Sequence, residues 1–216
     1  MGSSYKIVIA RYNETLEWTN KLNENNIIIY NKGDFIDNTN IHLKNIGREG
    51  ETFLYHIINN YNELPDYLIL LQGDPFCHMT NITPDNFQDN IDKLIKSNIH
   101  DIQPLFTHIH IENHYEYYSI KSKEYYSLIF DENIPIQLNF AAGSQYIIPK
   151  KNILNRTKNF YIKLKEMLYN SKIIHVNDSC YGTHEFDCNT IDGWTLERLI
   201  MYVFKTDIKI NTTYFT

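Results

Sequence analysis

Three short apolar runs, rich in branched side chains, stand out in the first third of the chain, and each ends in polar residues. The runs are Lys6–Ala10, Ile27–Tyr30 and Tyr67–Leu71. A short, mainly apolar run of this length is typical of a strand buried on both faces of a sheet. We therefore predict three adjacent inner strands, with Tyr146–Pro149 returning to the sheet later in the chain.

Segments with apolar residues at helical spacing alternate with these runs. The predicted helices are Leu16–Leu22, Glu49–Tyr61, a segment from Thr83 to about Ser97, Phe160–Tyr169 and Trp194–Phe204. Thr83 is the predicted N-cap of its helix because Pro84 would take the first helical position. The alternation in Thr107–Ile111 predicts one further, half-buried strand.

Strands that alternate with helices favour an α/β fold. We predict one domain over residues 1–216, with a mostly parallel central sheet and helices on both of its faces. The sequence contains no internal repeat and no stretch with the composition of a linker between domains. A long polar segment, His175–Asp192, separates the last two predicted helices.

Composition excludes some classes of binding partner and indicates the cellular compartment. The formal net charge is −6 without a cluster of like charges, which argues against nucleic-acid binding. Three cysteines, an odd number, argue against a disulfide scaffold. The first residues lack the apolar run of a signal peptide, and no stretch reaches the roughly 18 apolar residues of a membrane span. A cytoplasmic protein is expected.

Polar side chains follow the first and third predicted strands, where an open α/β sheet binds its ligands. One segment is Arg11–Glu14 and the other is Gln72–His78. Asp74, at the tip of a buried strand, is a candidate ligand for a divalent cation that bridges phosphate oxygens, and His78 is a candidate second ligand. The alternative is that Asp74 simply bonds to the backbone of its own turn.

Two further segments carry candidate residues for binding and catalysis. Asn45–Gly50 precedes a helix, so its glycines would let backbone amides approach an anion, with Arg48 as the cation. The alternative is a capped helix with Arg48 and Glu49 on the surface. Near the C-terminus, carboxylates concentrate in His184–Asp187 and Asp192–Arg198, among them Glu185 and Glu197, and the helix dipole alone would account for Glu197.

The order of several motifs resembles a known family, the domain-of-unknown-function family numbered 3431, which is found in fungi, bacteria and large DNA viruses. The matching segments span most of the chain and are Val8–Glu14, Ile29–Gly33, Asn45–Gly50, Thr52–Leu54, Leu64–Asp66, Leu71–Pro75 with His78, Ala142–Tyr146 with Ile153, and Trp194–Arg198. For a viral member, the expected compartment is the host cytoplasm.

The layout is also similar to small glycosyltransferases of the GT-A fold, a Rossmann-related architecture. That resemblance implies a nucleotide-sugar donor, a glycan or other hydroxyl acceptor, and Mn²⁺ or Mg²⁺. The implied roles are nucleotide or phosphate binding by Arg11, Tyr12, Asn13 and Arg48, metal binding by Asp74 and His78, an acceptor cleft at Gly143, Ser144 and Gln145, and a general base at Glu197 or Glu185. The sequence departs from the pattern at Gln72-Gly73-Asp74, which offers one carboxylate where the usual motif has two.

Two other functions stay open at this point. One is a metal-dependent hydrolase of phosphate or sugar esters, with Asp74, His78, His184 and Asp187 as a mixed nitrogen and oxygen site. The other is a non-catalytic module that binds carbohydrate or nucleotide on an aromatic surface.

Overall fold

The computed structural model describes residues 3–34, 40–79, 81–105, 109–113, 125–170 and 193–210. Within these ranges, the strands form a six-stranded sheet and a separate two-stranded ribbon. The strands are β1 (Tyr5–Arg11), β2 (Ile27–Asn31), β3 (Ile41–His42), β4 (Tyr67–Gln72), β5 (Gln103–Pro104), β6 (His110–Asn113), β7 (Gln137–Phe140) and β8 (Tyr146–Pro149). The ribbon consists of β6 and β7.

Helices connect the strands and pack on both sides of the larger sheet. They include α1 (Arg48–Asn60), α2 (Phe87–Lys96), α3 (Lys150–Leu154), α4 (Lys158–Asn170) and α5 (Gly193–Phe204), with 3-10 helices at Glu17–Lys21, Glu24–Asn26, Phe76–His78 and Ala142–Ser144. None of the helices in the described ranges has both the length and the apolar character needed to cross a bilayer.

The larger sheet is mixed, with the strand order β3-β2-β1-β4-β8-β5. The strands from β3 to β4 pair in parallel, whereas β8 runs antiparallel to both of its neighbours, β4 and β5. The prediction that the first three apolar runs form adjacent strands is confirmed, because β1 lies between β2 and β4. The returning strand at Tyr146–Pro149 is also confirmed, and its reversal is what makes the sheet mixed.

Both faces of the larger sheet are buried, and the central residues of its inner strands are apolar on both sides. In β1, Val8 and Ala10 belong to the core on the side of α1, α4 and α5. Ile7 and Ile9 belong to the core on the opposite side, which α2 and Trp18 cover. This arrangement is the reason that the strands read as continuous apolar runs rather than as an alternating pattern.

The structure corrects the start of α2, which was predicted at Thr83. The helix begins at Phe87, because residues 83–86 form a turn of their own. In that turn the amide of Asn86 donates to the carbonyl of Thr83 at 3.1 Å, and the Asn86 side chain accepts from the Thr83 amide at 2.9 Å. The Asn86 side chain therefore closes a turn where the sequence predicted the first turn of a helix.

The remaining predicted elements differ from the structure mainly at their ends. Leu16–Leu22 contains a 3-10 helix rather than an α-helix. The strand predicted at Thr107–Ile111 is found as β6, His110–Asn113, while residues 106–108 lie outside the described residues. The long polar segment before α5 lies outside them as well.

Candidate functional site

The candidate site lies along the edge of the larger sheet where the parallel strands end. Arg11 at the end of β1 is in register with Asn31 at the end of β2, and Gln72 ends β4 on the other side of β1. Because β8 is antiparallel to β4, the residues that precede Tyr146 approach the same edge. Three strand ends and one strand start thus bring their loops together.

Two glycines allow the first three loops to pack in direct contact. A Cβ atom added to Gly33 would lie 1.5 Å from the carbonyl oxygen of Tyr12. A Cβ atom added to Gly73 would lie 2.5 Å from Oε2 of Glu14. The same Glu14 oxygen accepts a hydrogen bond from the Tyr12 amide at 2.6 Å. The loop after β1 therefore fits between the loops after β2 and β4 without space for a side chain at either glycine.

A third glycine makes the corresponding contact with the turn before β8. A Cβ atom added to Gly143 would lie 2.9 Å from Oε1 of Gln72, and Gly143 has a left-handed φ of 69°. The side-chain amide of Gln72 donates to the carbonyl of Asp74 at 3.0 Å. Ser144 also has a left-handed conformation, with φ 51°. Two successive residues of this kind are uncommon and mark a conformation that the surroundings enforce.

Glu197, near the start of α5, reaches this turn. The backbone amide of Gly143 donates to Oε1 of Glu197, while Oε2 has no hydrogen bond to any residue in the described ranges. Burial, together with the neighbouring carboxylate of Glu49, raises the pKa of the partly buried Glu197 carboxyl to about 7. The Gly143 bond and the guanidinium groups of Arg198 and Arg48 act in the opposite direction.

The N-terminus of α1 lies next to Glu197 because α1 and α5 are in close contact. A Cβ atom added to Gly50 would lie 2.4 Å from Cδ2 of Leu196. The helix begins after Gly47, and both Gly47 and Arg48 have left-handed conformations, with φ values of 62° and 51°. The Nε atom of Arg48 lies 3.7 Å from the carboxylate of Glu49. The first amides of α1 and the Arg48 guanidinium are both suited to an anion.

The predicted nucleotide-binding residues after β1 are held by short-range bonds. Arg11 donates from Nε to the carbonyl of Glu14 at 2.9 Å. Asn13 accepts a hydrogen bond at Oδ1 from the amide of Asp34 at 3.2 Å, so that the loops after β1 and β2 are joined. The Tyr12 ring, by contrast, is 42% exposed. Asn13 is exposed as well, whereas Arg11 is only partly exposed.

The predicted metal ligand Asp74 is exposed in the loop after β4. Its Oδ1 atom accepts a long hydrogen bond of 3.4 Å from the amide of Phe76, so the carboxylate does bond to its own turn. His78, at the end of the 3-10 helix Phe76–His78, is partly buried. Across the described ranges, no group of three or more His, Cys, Asp or Glu side chains could hold a metal ion. Asp74 fits a cation site only as a single ligand, with the other oxygens supplied by phosphate and water.

The turn predicted to line an acceptor cleft is buried. Ser144 and Gln145 are both fully buried, and the Gln145 side chain donates to the carbonyl of Pro75 at 3.2 Å. Within the described part of the chain, Ser144 Oγ and Gln145 Oε1 have no hydrogen-bond partner. These residues support the loop after β4, and they would contact an acceptor only after the residues that cover them move.

Some of the predicted site residues lie outside the described part of the chain, and two residues at this edge of the sheet were not predicted. Glu185, together with His184 and Asp187 of the alternative hydrolase site, lies outside the described residues. The sequence analysis assigned no role to Lys32 or Glu49, which the structure places at this edge. Lys32 follows the second predicted strand, and Glu49 follows the Gly47-Arg48 pair. A lysine or glutamate next to a turn is ordinarily interpreted as a surface residue.

The fold and this edge define an α/β protein whose candidate site is built from polar loops at the carboxyl ends of parallel strands. The chain belongs to the family described as protein of unknown function DUF3431, which it matches over residues 7–212. The match confirms the predicted family, and it includes every candidate residue discussed above. Comparisons with curated proteins and with solved structures found no match.

Proposed function

We propose that this protein is a glycosyltransferase that uses a nucleotide-sugar donor. The observation that carries the proposal is the position of Glu197, whose Oε1 atom is held by the Gly143 amide while Oε2 remains without a hydrogen bond among the described residues. The same carboxylate lies close enough to the N-terminus of α1 to interact with Arg48. This arrangement supports a role for Glu197 as general base next to a helix end that would bind the anionic donor.

The environment of Glu197 supports a role in proton transfer. A general base works best when its pKa lies near the working pH, and the pKa of about 7 meets that condition. An acceptor hydroxyl would give its proton to Oε2 of Glu197 as its oxygen bonds to the anomeric carbon of the sugar. The bond between that carbon and the diphosphate oxygen breaks in the same step, and the nucleoside diphosphate leaves.

The donor would bind along the strand ends. Arg11 and Asn13 in the loop after β1 would contact the nucleotide, with the exposed Tyr12 ring available for stacking on its base. The first amides of α1 and the Arg48 side chain would bind the diphosphate. Ligands of open α/β sheets characteristically bind at this edge.

Asp74 would supply one carboxylate oxygen to a Mg²⁺ or Mn²⁺ ion. Magnesium is commonly held by one or two carboxylates together with the phosphates of the substrate, so a single aspartate is compatible with it. When bound, such an ion would neutralise charge on the leaving diphosphate. The site would then depend on the donor for most of its oxygen ligands.

Thermal unfolding in the presence of candidate ligands tests the proposal against the two other functions. Uridine, guanosine, cytidine and thymidine diphosphate or monophosphate sugars would be added with and without Mn²⁺. A transferase should gain on the order of 2–3 kcal/mol at about 100 times Kd from one nucleotide sugar. A hydrolase should respond to the metal without a nucleotide, and a carbohydrate-binding module should respond to free sugars alone.

A further inference from the structure

A buried lysine lies between the two loops that carry the arginines proposed to bind the donor. Lys32 follows directly after β2, and its side chain is only 3% exposed. Its ammonium group has three close oxygen partners: the carbonyl of Ile46 at 2.6 Å, the carbonyl of Arg48 at 2.7 Å, and Oε2 of Glu51 at 2.8 Å. The ammonium group thus donates to two main-chain carbonyls and forms an ion pair with the Glu51 carboxylate.

The two carbonyls bound by Lys32 flank Gly47. Drawing the carbonyls of Ile46 and Arg48 to one ammonium group closes the turn from which α1 starts. Arg48 has a φ of 51° in this turn, a conformation that is costly for a residue with a side chain. Such a conformation persists when its surroundings determine it, and the Lys32 hydrogen bonds do so directly.

The backbone of Lys32 reaches the other arginine. Its amide donates to the carbonyl of Arg11 at 2.8 Å, which continues the pairing of β1 with β2 beyond the last residue of β2. One residue therefore bonds to the main chain of both Arg11 and Arg48. The loop after β1 and the N-terminal turn of α1 are held in a fixed relation through it.

Stability alone is a weak explanation for a charged group in this position. Removing an ammonium and a carboxylate from water costs several kcal/mol per ion, and apolar replacements of buried ion pairs are often neutral or stabilising. Glu51 is 1% exposed and has a second cationic neighbour, Lys165, at 3.3 Å. Lys32 contributes two hydrogen bonds to the carbonyls of Ile46 and Arg48 in the turn before α1. Lys165 contacts the same ion cluster through the carboxylate of Glu51.

We propose that Lys32 is a positioning residue, which fixes the main chain of Arg11 and Arg48 so that both arginines serve one phosphate-bearing ligand. The inference rests on the proposed function, because it assigns these arginines to the donor. It extends that function by naming the group that organises the anion-binding end of α1. Lys32 itself does not touch the ligand.

The test compares two lysine variants that disturb the same ion cluster. Lys32→Met removes the bonds to Ile46 and Arg48, whereas Lys165→Met removes the partly exposed neighbour of Glu51 and leaves both of those bonds in place. Affinity would be measured calorimetrically, well below the melting temperature, for the nucleotide sugar that stabilises the wild type most. We expect a loss of at least tenfold for Lys32→Met and no change beyond twofold for Lys165→Met. Equal affinities in the two variants would overturn the proposal.

A double-mutant cycle separates positioning from general destabilisation. If Lys32 acts through Arg48, then Lys32→Met should cost little additional affinity in an Arg48→Ala background. Fully additive losses would contradict the inference. Should Lys32→Met fail to fold, Lys32→Met with Glu51→Met removes both buried charges and leaves no unpaired carboxylate at Glu51, and the same affinity comparison applies.

Hydrogen exchange keeps the two proposals distinguishable. Without ligand, amides in residues 46–51 should exchange faster in Lys32→Met than in wild type, and at the wild-type rate in Lys165→Met. If the wild type binds neither a nucleotide sugar nor inorganic pyrophosphate, the proposed function fails and exchange alone decides whether Lys32 holds the turn. Unchanged exchange in Lys32→Met overturns the inference in either case.

Discussion

The backbone amide of Gly143 donates a hydrogen bond to the carboxylate of Glu197, which joins the turn before β8 to the start of α5. This bond fixes one carboxylate oxygen without any side-chain donor. Replacing Glu197 by glutamine keeps an acceptor for the Gly143 amide but removes the group that takes a proton. We therefore expect Glu197→Gln to retain donor affinity, while turnover falls by about 10²–10⁴. Calorimetric titration and single-turnover assays measure the two quantities separately, and a parallel loss of affinity would instead indicate a structural role.

The pH dependence of activity follows from the same group. Glu197 must be ionised to act as a base, and its pKa of about 7 places half-ionisation near neutral pH. The logarithm of kcat/KM should fall by one unit per pH unit below pH 7 and level off above it. The profile would be measured at donor concentrations far below KM. A profile that stays flat from pH 5 to pH 8 would exclude Glu197 as the base.

Asp74→Asn tests the proposed cation site. Asparagine keeps an oxygen that can accept from the Phe76 amide, so the turn should survive and melting should change little. Removal of the charge should weaken donor binding in the presence of Mn²⁺, because an amide is a poor ligand for a hard cation. Asp85→Asn is a matched control, since that exposed carboxylate pairs with Lys21 instead. If Asp74→Asn and wild type bind the donor equally with Mn²⁺ present, Asp74 has only its turn-capping role.

Gly33→Ala should destabilise the protein although the position follows a surface turn. The added methyl group would lie 1.5 Å from the carbonyl oxygen of Tyr12, so the backbone of one loop must move. Forced shifts of this kind typically cost about 1–3 kcal/mol or more. Asp34→Ala is the control, because it keeps the backbone amide that bonds to Asn13. Denaturant unfolding compares the two, and equal midpoints would show that the loops after β1 and β2 separate easily.

His56 gives the fold a sensitivity to acid. It is buried in α1 with Nδ1 at 3.0 Å from the hydroxyl of Tyr30, and burial lowers its pKa to about 4. A pKa below the ordinary 6.5 means that the unfolded chain binds more protons as pH falls. Stability present above pH 6.5 is therefore lost as the pH approaches 4, on the order of 2–3 kcal/mol. Between pH 7 and pH 4, the free energy of unfolding of the wild type should fall more steeply than that of His56→Gln. The variant shows how much of the fall comes from the other titrating groups.

The strands were predictable because a strand that is buried on both faces of a sheet needs apolar side chains at consecutive positions. Tyr67–Leu71 is apolar at every position, and Ile7–Ala10 in the neighbouring strand β1 is apolar as well. The start of α2 was not predictable, since Thr83-Pro84 has the residues of a helix start and only the tertiary structure shows that Asn86 closes a separate turn. Local preference signals a helix terminus without fixing which turn begins it.

The candidate site was predictable as far as its loops, and the pairing of residues between loops was not. Arg11, Asp74 and Glu197 follow strands or begin helices, so their general placement can be read from the sequence. The burial of Lys32 depends on acceptors 14 and 16 residues away, which no local pattern reveals. The proximity of Glu49 to Glu197 likewise depends on the packing of α1 against α5.

The Gly143–Glu197 bond links positions 54 residues apart, and β8 pairs with a strand formed far earlier in the chain. Contacts so distant in sequence close large loops, which makes them slow to form during folding. Helical content should thus recover in refolding before the capacity to bind a ligand at the strand ends. If the protein binds a nucleotide sugar as proposed, the rate at which binding appears during refolding should report the docking of α5. Glu197 reaches the other binding groups only after α5 has docked.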